Sequence, residues 1–249
     1  MDLRDPSRRT AVVAAALAIV LVAGLLVLVV VHALNGPDCT VRVGKQSVEL
    51  STTQAQSAAS ASARAVRLGR SLPEAAKAVA SKADLSAADS EVVASSLTGR
   101  SRHALTCTHG GADDTESNRL DGSGLTRRAE RVRQDLDQAF GRLPMGGFAP
   151  GGVRSGHMPG SAHYEGRAVD VFVRPISPRN KTRGWAIAQY LVAQAERLEI
   201  NTVIFDAQIW TTRRAGEGWR DYRVSTSGRS RATVRILEHR DHVHVDVAD

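Results

Sequence analysis

The chain has 249 residues, enough for one large domain or two small ones, and 42% of them are hydrophobic, enough to form a core. Its formal net charge of +7 favours anionic partners such as lipid headgroups and cell-wall polymers. Only 4% of the residues are aromatic and no nucleic-acid-binding motif is present, so we exclude nucleic acid as a main partner.

A membrane anchor is predicted near the start of the chain. Three arginines lie in residues 1–10, and an unbroken apolar run follows over residues 11–31. At about 1.5 Å per residue this run matches a hydrocarbon core of about 30 Å. A cleavable signal has a shorter apolar region, so an uncleaved anchor over residues 11–34 is predicted, with cleavage as the alternative. The arginines hold residues 1–10 in the cytoplasm and leave the remaining chain outside the cell membrane.

The two cysteines agree with an extracytoplasmic location. Outside the cytoplasm a lone pair of cysteines forms a disulfide more often than two free thiols, so a bond between Cys39 and Cys107 is predicted. A strand-like run at residues 40–50 precedes three helical stretches. These stretches lie at residues 52–68, 71–83 and 86–97. Residues 35–107 are therefore expected to be a small α-rich module, closed by the disulfide and acting as a spacer or docking module.

A second domain is predicted after a linker. Residues 108–123 are polar and glycine-rich, which is typical of a linker, and the domain covers residues 124–249. Its amphipathic helices, at residues 125–140 and 182–198, carry apolar residues three and four positions apart. The closing segments are at residues 202–205, 208–211, 233–237 and 242–247. The order of helix, strand, helix and strands predicts an α+β domain with a mostly antiparallel sheet.

The first chemically distinctive segment lies in the middle of this domain. Residues 167–173 alternate like a strand, and Asp170 points away from a face made of valines that favour burial. His163 lies just before this strand, past a turn that Gly166 makes at low strain. An imidazole and a carboxylate are thus held near the same strand end.

A second segment with the same character lies near the C-terminus. In residues 241–247, His242 and His244 share one face and valines occupy the other. If the two strands lie side by side, their polar faces together can form a metal-binding site. Catalytic zinc commonly has three protein ligands and one open position, and His163, Asp170 and one of the two histidines supply that number.

Hydrolysis at such a site also needs a base. A metal ion acidifies its water molecule and polarises a carbonyl, and a nearby group must take the proton. Asp241 and the second histidine of the pair are the two candidates, and the residues alone leave the choice open.

These motifs resemble a known family. The pattern Ser-x-His-x-x-Gly-x-Ala-x-Asp of residues 161–170, followed by His-x-His at residues 242–244, is similar to the D-Ala-D-Ala carboxypeptidase and hedgehog-type zinc peptidase superfamily. The likeness covers about residues 125–249 and is closer to the C-terminal domain of actinobacterial envelope proteins. It implies a hedgehog/DD-peptidase-like fold.

The resemblance also implies roles for individual residues. It implies a Zn2+ ion held by His163, Asp170 and His244, with His242 beside the metal-bound water. The base of the family is often a glutamate three positions before the last ligand. Asp241 occupies that position here and is one methylene shorter, so the base stays open between Asp241 and His242.

Three further residues lie near these motifs. Family peptidases hold the substrate carboxylate with an upstream arginine, and Arg154 is the candidate, with an ordinary surface arginine as the alternative. His157 is predicted to have a role in the loop rather than as a ligand, and His239 to be a bystander.

Together these features predict a membrane-anchored, extracytoplasmic zinc peptidase that hydrolyses amide bonds in peptidoglycan peptides. A catalytically inactive, zinc-containing module that binds the cell wall is the first alternative. A structural envelope protein whose histidines bind no metal is the second. Fold likeness alone does not decide among them.

Overall fold

The computed structural model describes residues 38–111 and 117–249. The predicted cytoplasmic tail, residues 1–10, and the predicted anchor, residues 11–34, lie outside the described residues. Within the described ranges, no helix has both the length and the apolar character needed to cross a membrane.

The first part of the described chain combines a small sheet with three helices. The strands are β1 (Cys39–Val43), β2 (Gln46–Leu50) and β3 (Leu105–Cys107), and the helices are α1 (Thr52–Arg67), α2 (Leu72–Ala83) and α3 (Ala87–Leu97). The antiparallel sheet has the order β2-β1-β3 and places Cys39 directly opposite Cys107. The predicted disulfide between these two residues is present.

Local sequence explains where these helices begin. Ser51, Ser71 and Ser86 stand immediately before the three helices in extended conformation, as N-cap residues do. Glu74 accepts hydrogen bonds from both the backbone and the hydroxyl of Ser71, and the two residues form a capping box. The buried face of α1 consists mainly of alanines, so the neighbouring helices approach it closely.

The second part contains the remaining elements. The helices are α4 (Arg127–Phe140), α5 (Pro178–Ala193) and α6 (Arg231–Leu237), and the strands are β4 (Met145–Gly146), β5 (Ala168–Phe172), β6 (Ile200–Phe205), β7 (Gln208–Thr211), β8 (Arg220–Asp221) and β9 (His242–Val247). The strand order is β4-β5-β9-β6-β7-β8, and all these pairings among the described residues are antiparallel. The fold is α+β, as the sequence predicts.

Two differences from the predicted elements have clear causes. Residues 233–237, which the predicted order counts among the closing strands, form a helix instead. The Ser230 hydroxyl accepts a hydrogen bond from the Thr233 backbone N–H and caps α6. These residues could not pair with β9 as a strand, because β5 and β6 occupy both of its edges. Helix α5 begins before residue 182, since Ser177 caps it and a proline fills its first turn.

The core extends across both parts. The inward valines of β5 and β9 and the first-part helices belong to one cluster of buried residues. Gln189 on α5 is fully buried, and its Oε1 accepts hydrogen bonds from Ser96 Oγ (2.7 Å) and from the backbone N–H groups of Ala104 (2.9 Å) and Leu105 (3.0 Å). Residues 38–249 accordingly form one compact unit.

Candidate metal site

Two central strands present the polar side chains of the site. Strands β5 and β9 pair so that Asp170 lies directly opposite His244 and Phe172 opposite His242. Because side chains alternate along a strand, the neighbouring valines of both strands point to the other face and are buried in the core. The sheet therefore fixes the position of Asp170, His242 and His244 on one surface.

His163 reaches the same surface from a short 3-10 helix, Ala162–Glu165. That helix ends at Gly166, which has a φ of 68° in the left-handed region. A Cβ at Gly166 would lie 2.6 Å from the carbonyl oxygen of Gly124, so the turn requires glycine for conformation and for space. This local geometry turns the imidazole of His163 towards β5 and β9.

Three polar atoms converge at the centre of the site. His163 Nε2 lies 3.2 Å from Asp170 Oδ1 and 3.1 Å from His244 Nδ1, and His244 Nδ1 lies 3.1 Å from Asp170 Oδ1. The three residues are 2%, 6% and 8% exposed, respectively. Tetrahedral zinc with ligands at about 2.0–2.1 Å separates them by roughly 3.3 Å, close to these distances.

The outer nitrogens of both rings have hydrogen-bond acceptors, which allows the inner nitrogens to bind a metal. His163 Nδ1 donates to the carbonyl of Gly147 at 2.7 Å, and His244 Nε2 lies 3.4 Å from the carboxylate of Asp246. A neutral imidazole with one nitrogen donating has a lone pair on the other. In the tautomers that a bound metal requires, the inward atoms are two nitrogen lone pairs and one carboxylate oxygen. Without a metal, a proton lies among them, as in the hydrogen bond between His244 Nδ1 and Asp170 Oδ1.

Electrostatics in the site follow from this arrangement. Burial alone would raise the pKa of Asp170, but its hydrogen bonds with His163 and His244 outweigh burial and hold the pKa well below its usual range. Burial also lowers the pKa of His244, but its hydrogen bonds with Asp170 and Asp246 raise it to about 9. Without a metal, a proton on His244 is the cation that the cluster favours.

His157 lies against this cluster. Its ring stacks on that of His163 with centroids 4.0 Å apart, and burial and the charge of His163 lower its pKa. The Tyr164 hydroxyl holds it in place by accepting from its backbone N–H and donating to its carbonyl. Ligand atoms of His157, His163 and Asp170 lie within 4.8 Å of one another, so this group could also hold a metal ion. A role in the loop alone, as predicted for His157, does not account for the position of its ring beside the cluster.

The two candidate bases differ in what they face. His242 Nδ1 donates to Asp241 Oδ1 at 2.8 Å, while its Nε2 points into the site, 3.8 Å from Asp170 Oδ1. The other oxygen of Asp241 accepts from Arg174 Nε at 2.7 Å. Burial would raise the pKa of Asp241, but its bonds to His242 and Arg174 lower it, so it stays a carboxylate. Asp241 thus fixes the orientation of the His242 ring by binding the nitrogen that faces away from the cluster.

A cleft of about 840 Å³ gives access to the cluster. Arg174 and His239 line it, whereas Arg154 is exposed and is not among its lining residues. The predicted contact between Arg154 and a substrate carboxylate stays a prediction. The His239 ring is 4.7 Å from that of His242, and burial, with the neighbouring histidines, lowers its pKa to about 3.

Sequence reasoning missed Gly147 and Arg174. Gly147 has a φ of 81°, and a Cβ there would lie 2.3 Å from His163 Cε1, so only glycine brings its carbonyl to the ring. The loop composition around Gly147 gave no signal that singles it out. Arg174 follows β5 by two residues, and an arginine at the end of the motif strand is a signal that could have been used.

Comparison with known proteins gives one partial match. No curated protein and no solved structure matches the chain significantly. A family model does match, over a segment that includes His163 and Asp170 but ends before His242 and His244. That segment, residues 121–234, is similar to the VldE C-terminal domain.

Proposed function

We propose that residues 124–249 form a hedgehog/DD-peptidase-like domain that hydrolyses amide bonds in peptidoglycan peptides with a zinc ion held by His163, Asp170 and His244. The observation that carries the proposal is the convergence of two imidazole nitrogens and a carboxylate oxygen, 3.1–3.2 Å apart and nearly buried. Such a set is costly to bury unless a cation binds it.

The donor set favours zinc among common metals. Imidazole and carboxylate ligands in a compact, three-residue set suit zinc, while calcium and magnesium prefer oxygen ligands alone. Gly147 and Asp246 support the rings from behind, as the outer partners of metal-binding histidines do. A bound zinc ion supplies Lewis acidity, which acidifies a water molecule and polarises the carbonyl of an amide.

The base of the proposed reaction is His242. Its Nε2 faces the cluster, while its Nδ1–H is held by Asp241, which fixes both the tautomer and the ring orientation. An Nε2 lone pair directed into the cleft accepts a proton from water and returns it to the leaving amine. Asp241 is a positioning residue in this scheme, and Arg174 positions Asp241 in turn.

The proposed location is the outer side of the cell membrane. A disulfide persists in oxidising compartments, and the bond between Cys39 and Cys107 fits such a location. The net charge of +7 suits an anionic cell wall. Anchoring by residues 11–34 is part of the proposal and depends on the apolar run in the sequence.

One observation supports a second candidate, a zinc-containing module that binds cell-wall peptides without cutting them. The family's glutamate base is replaced by Asp241, and both of its carboxylate oxygens are engaged, by His242 and Arg174. If His242 does not act as a base, the site holds a metal and a peptide but has no proton acceptor at the position that the family uses.

The test combines metal analysis with an activity assay on the purified full chain. We expect about one zinc per chain and loss of a terminal D-alanine or a cross-link from muropeptides, read by mass spectrometry. His244→Ala should lose both. His242→Asn should keep zinc and lose turnover, and His103→Ala, an exposed histidine outside the cleft, should keep both.

The outcomes separate the two candidates. Zinc without turnover in the wild-type chain supports the binding module and rejects the peptidase. Normal turnover in His242→Asn rejects His242 as the base. Absence of zinc from a chain purified without chelator, and failure to take zinc up, rejects both candidates.

A further inference from the structure

A second cleft, of about 570 Å³, lies over strands β6, β7 and β8. Its floor includes Thr202, Ile209 and Thr211, and its cationic lining residues are Arg213, Arg214 and Arg220. We call this space the Arg220 cleft, and we call the cleft of about 840 Å³ at the metal cluster the metal cleft.

The Arg220 cleft lies on the same face of the sheet as the metal cluster. Ile204 of β6 pairs with His244 on one side and with Ile209 on the other. Ile209 in turn pairs with Arg220 of β8. Directly paired residues of neighbouring strands point to the same face of a sheet, so one row of side chains runs from Asp170 and His244 to Arg220.

The two clefts share their floor. Ile204 lines the metal cleft, and its direct partner Ile209 lines the Arg220 cleft. Asn201 lines both. Tyr222, two positions after Arg220, lines the metal cleft as well. A ligand that lies across β9, β6 and β7 can therefore occupy both clefts at once.

The Arg220 cleft has an excess of positive charge. Asp221 is the single carboxylate among its described lining residues, and two neighbouring side chains already bind it. Arg214 pairs with Glu217. Exposed Arg213 forms no hydrogen bond or ion pair with any residue in the described ranges. The fold thus leaves part of this charge without an internal partner.

Arg220 is the cation that the fold holds in place. Its Nη2 donates to the Thr211 hydroxyl at 2.9 Å, which fixes the guanidinium against the sheet. Its Nε is buried and has no hydrogen-bond partner in the part of the chain that the structure describes. Buried donors are nearly always paired, and burial, with the charge of Arg214, lowers the pKa of Arg220. The contact with Thr211 accounts for the position of the side chain but leaves its charge without an anion.

The distance along the row limits what the ligand can be. Neighbouring strands lie about 4.8 Å apart, so Arg220, three strands from His244, is roughly 14 Å from the metal cluster. An extended chain covers about 3.3–3.6 Å per residue, so about four residues span this distance. A carboxylate next to the cut bond cannot reach Arg220, whereas one several residues away can.

We infer that the Arg220 cleft binds a carboxylate of the same peptide whose amide bond lies at the metal site. The inference rests on the proposed function and specifies its substrate class: peptides that extend about four residue lengths from the cut bond and carry a carboxylate there. Arginine suits this task because its planar guanidinium binds a carboxylate through two parallel hydrogen bonds. Ile204 and Ile209 lie on the floor between the two ends and offer apolar contact to the intervening segment.

The test is calorimetric binding to the full chain in chelator, which prevents turnover, at low and at high salt. The probe is a dimer of two L-Ala-γ-D-Glu-diaminopimelate-D-Ala stems, cross-linked from D-Ala to diaminopimelate. Its glutamate carboxylate lies roughly three to four residue lengths from the cross-link amide. The comparison form has amidated glutamate carboxylates and is otherwise identical. We expect the acid form to bind about tenfold more tightly, with the difference shrinking at high salt. Equal affinity for the two forms would overturn the inference, and this comparison needs no variant.

Two variants and a matched control assign the effect to the Arg220 cleft. Arg220→Gln keeps an amide that can donate to Thr211, and it should bind the acid form about tenfold less tightly and lose the discrimination. Arg213→Gln alters an exposed side chain without a described partner and should weaken binding about threefold. Arg42→Gln removes an exposed arginine outside both clefts and should bind as the wild type does. Discrimination that is unchanged in both cleft variants, or a glycerol phosphate oligomer that binds more tightly than the acid dimer, would overturn the inference.

Turnover with zinc distinguishes this inference from the proposed function. In an active chain, Arg220→Gln should raise KM about tenfold and leave kcat unchanged, because a remote contact is the same before and during reaction. Carboxylate discrimination in a chain without turnover upholds the Arg220 cleft while the peptidase proposal fails. Cleavage of both dimer forms at equal kcat/KM upholds the peptidase and overturns the Arg220 cleft. Zinc content is measured for every variant, so that a lost metal is not mistaken for a lost carboxylate contact.

Discussion

Substituting Asp170 by asparagine tests whether its carboxylate binds a metal ion or stabilises the fold. The new side chain has the same shape, but it loses the negative charge that attracts a cation to His163 and His244. Its amide group can also donate a hydrogen bond to one of the two inward lone pairs. We therefore expect the variant to lose metal affinity and, in the metal-free state below about pH 9, also to lose the pairing of this carboxylate with protonated His244.

The expected size follows from linkage. A ligand at 1,000 times its Kd stabilises the native state by about 4 kcal/mol. For a chain of this size, 1 kcal/mol shifts Tm by about 2–4 °C, so chelation should lower the wild-type Tm by roughly 10 °C. Asp170→Asn should melt at or below the temperature of the chelated wild type, and chelator should leave its Tm unchanged.

Differential scanning calorimetry with zinc and with chelator checks this prediction, and metal analysis gives the occupancy. Asp221→Asn is the matched control, because Asp221 is exposed and should respond to chelator as the wild type does. The reasoning is refuted if Asp170→Asn lowers Tm by the same amount in zinc and in chelator, since its carboxylate would then act in the fold and not on a metal.

Three further predictions concern single contacts. Gly147→Ala should weaken zinc binding at least tenfold by titration calorimetry, because its Cβ would lie 2.3 Å from His163 Cε1; unchanged affinity would contradict the close approach. Gln189→Leu leaves buried donors unpaired and should lower the free energy of unfolding by about 3 kcal/mol in urea. In chelator, protonation of His244, whose pKa is raised to about 9, should stabilise the fold fully below pH 6.5. This stabilisation is lost as the pH rises through 9, so Tm should fall over that range, and a rising Tm would contradict the assigned direction.

Alternation along the strands explains how much of the site was predictable. A period of two places Asp170 on one face of β5, and His242 and His244 on one face of β9, whatever their partners. Pairing was not predictable in the same way, since a shift of two residues preserves the faces and moves His244 away from Asp170. The observed register, Asp170 opposite His244, depends on the packed sheet.

The loop contributions were not predictable for a different reason. The carbonyl of Gly147 and the ring of His157 reach His163 through turns whose course depends on distant packing. His157 is six positions before His163, a spacing with no regular periodicity that would bring the rings together. Only a folded chain shows that the Tyr164 hydroxyl holds the His157 backbone and stacks the two rings.

The two halves of the proposed active site differ in how firmly they are held. Strands β5 and β9 lie inside a six-stranded sheet and have valines packed in the core, so the metal-facing atoms are positioned before any ligand arrives. Helix α6, whose Ile236 and Leu237 line the cleft beside the cluster, buries no residue. Elements with few buried contacts open at low free-energy cost, so peptide binding can rearrange this wall without disturbing the metal ligands. Metal affinity should therefore depend on the core behind β9, and the shape of the cleft on the position of α6.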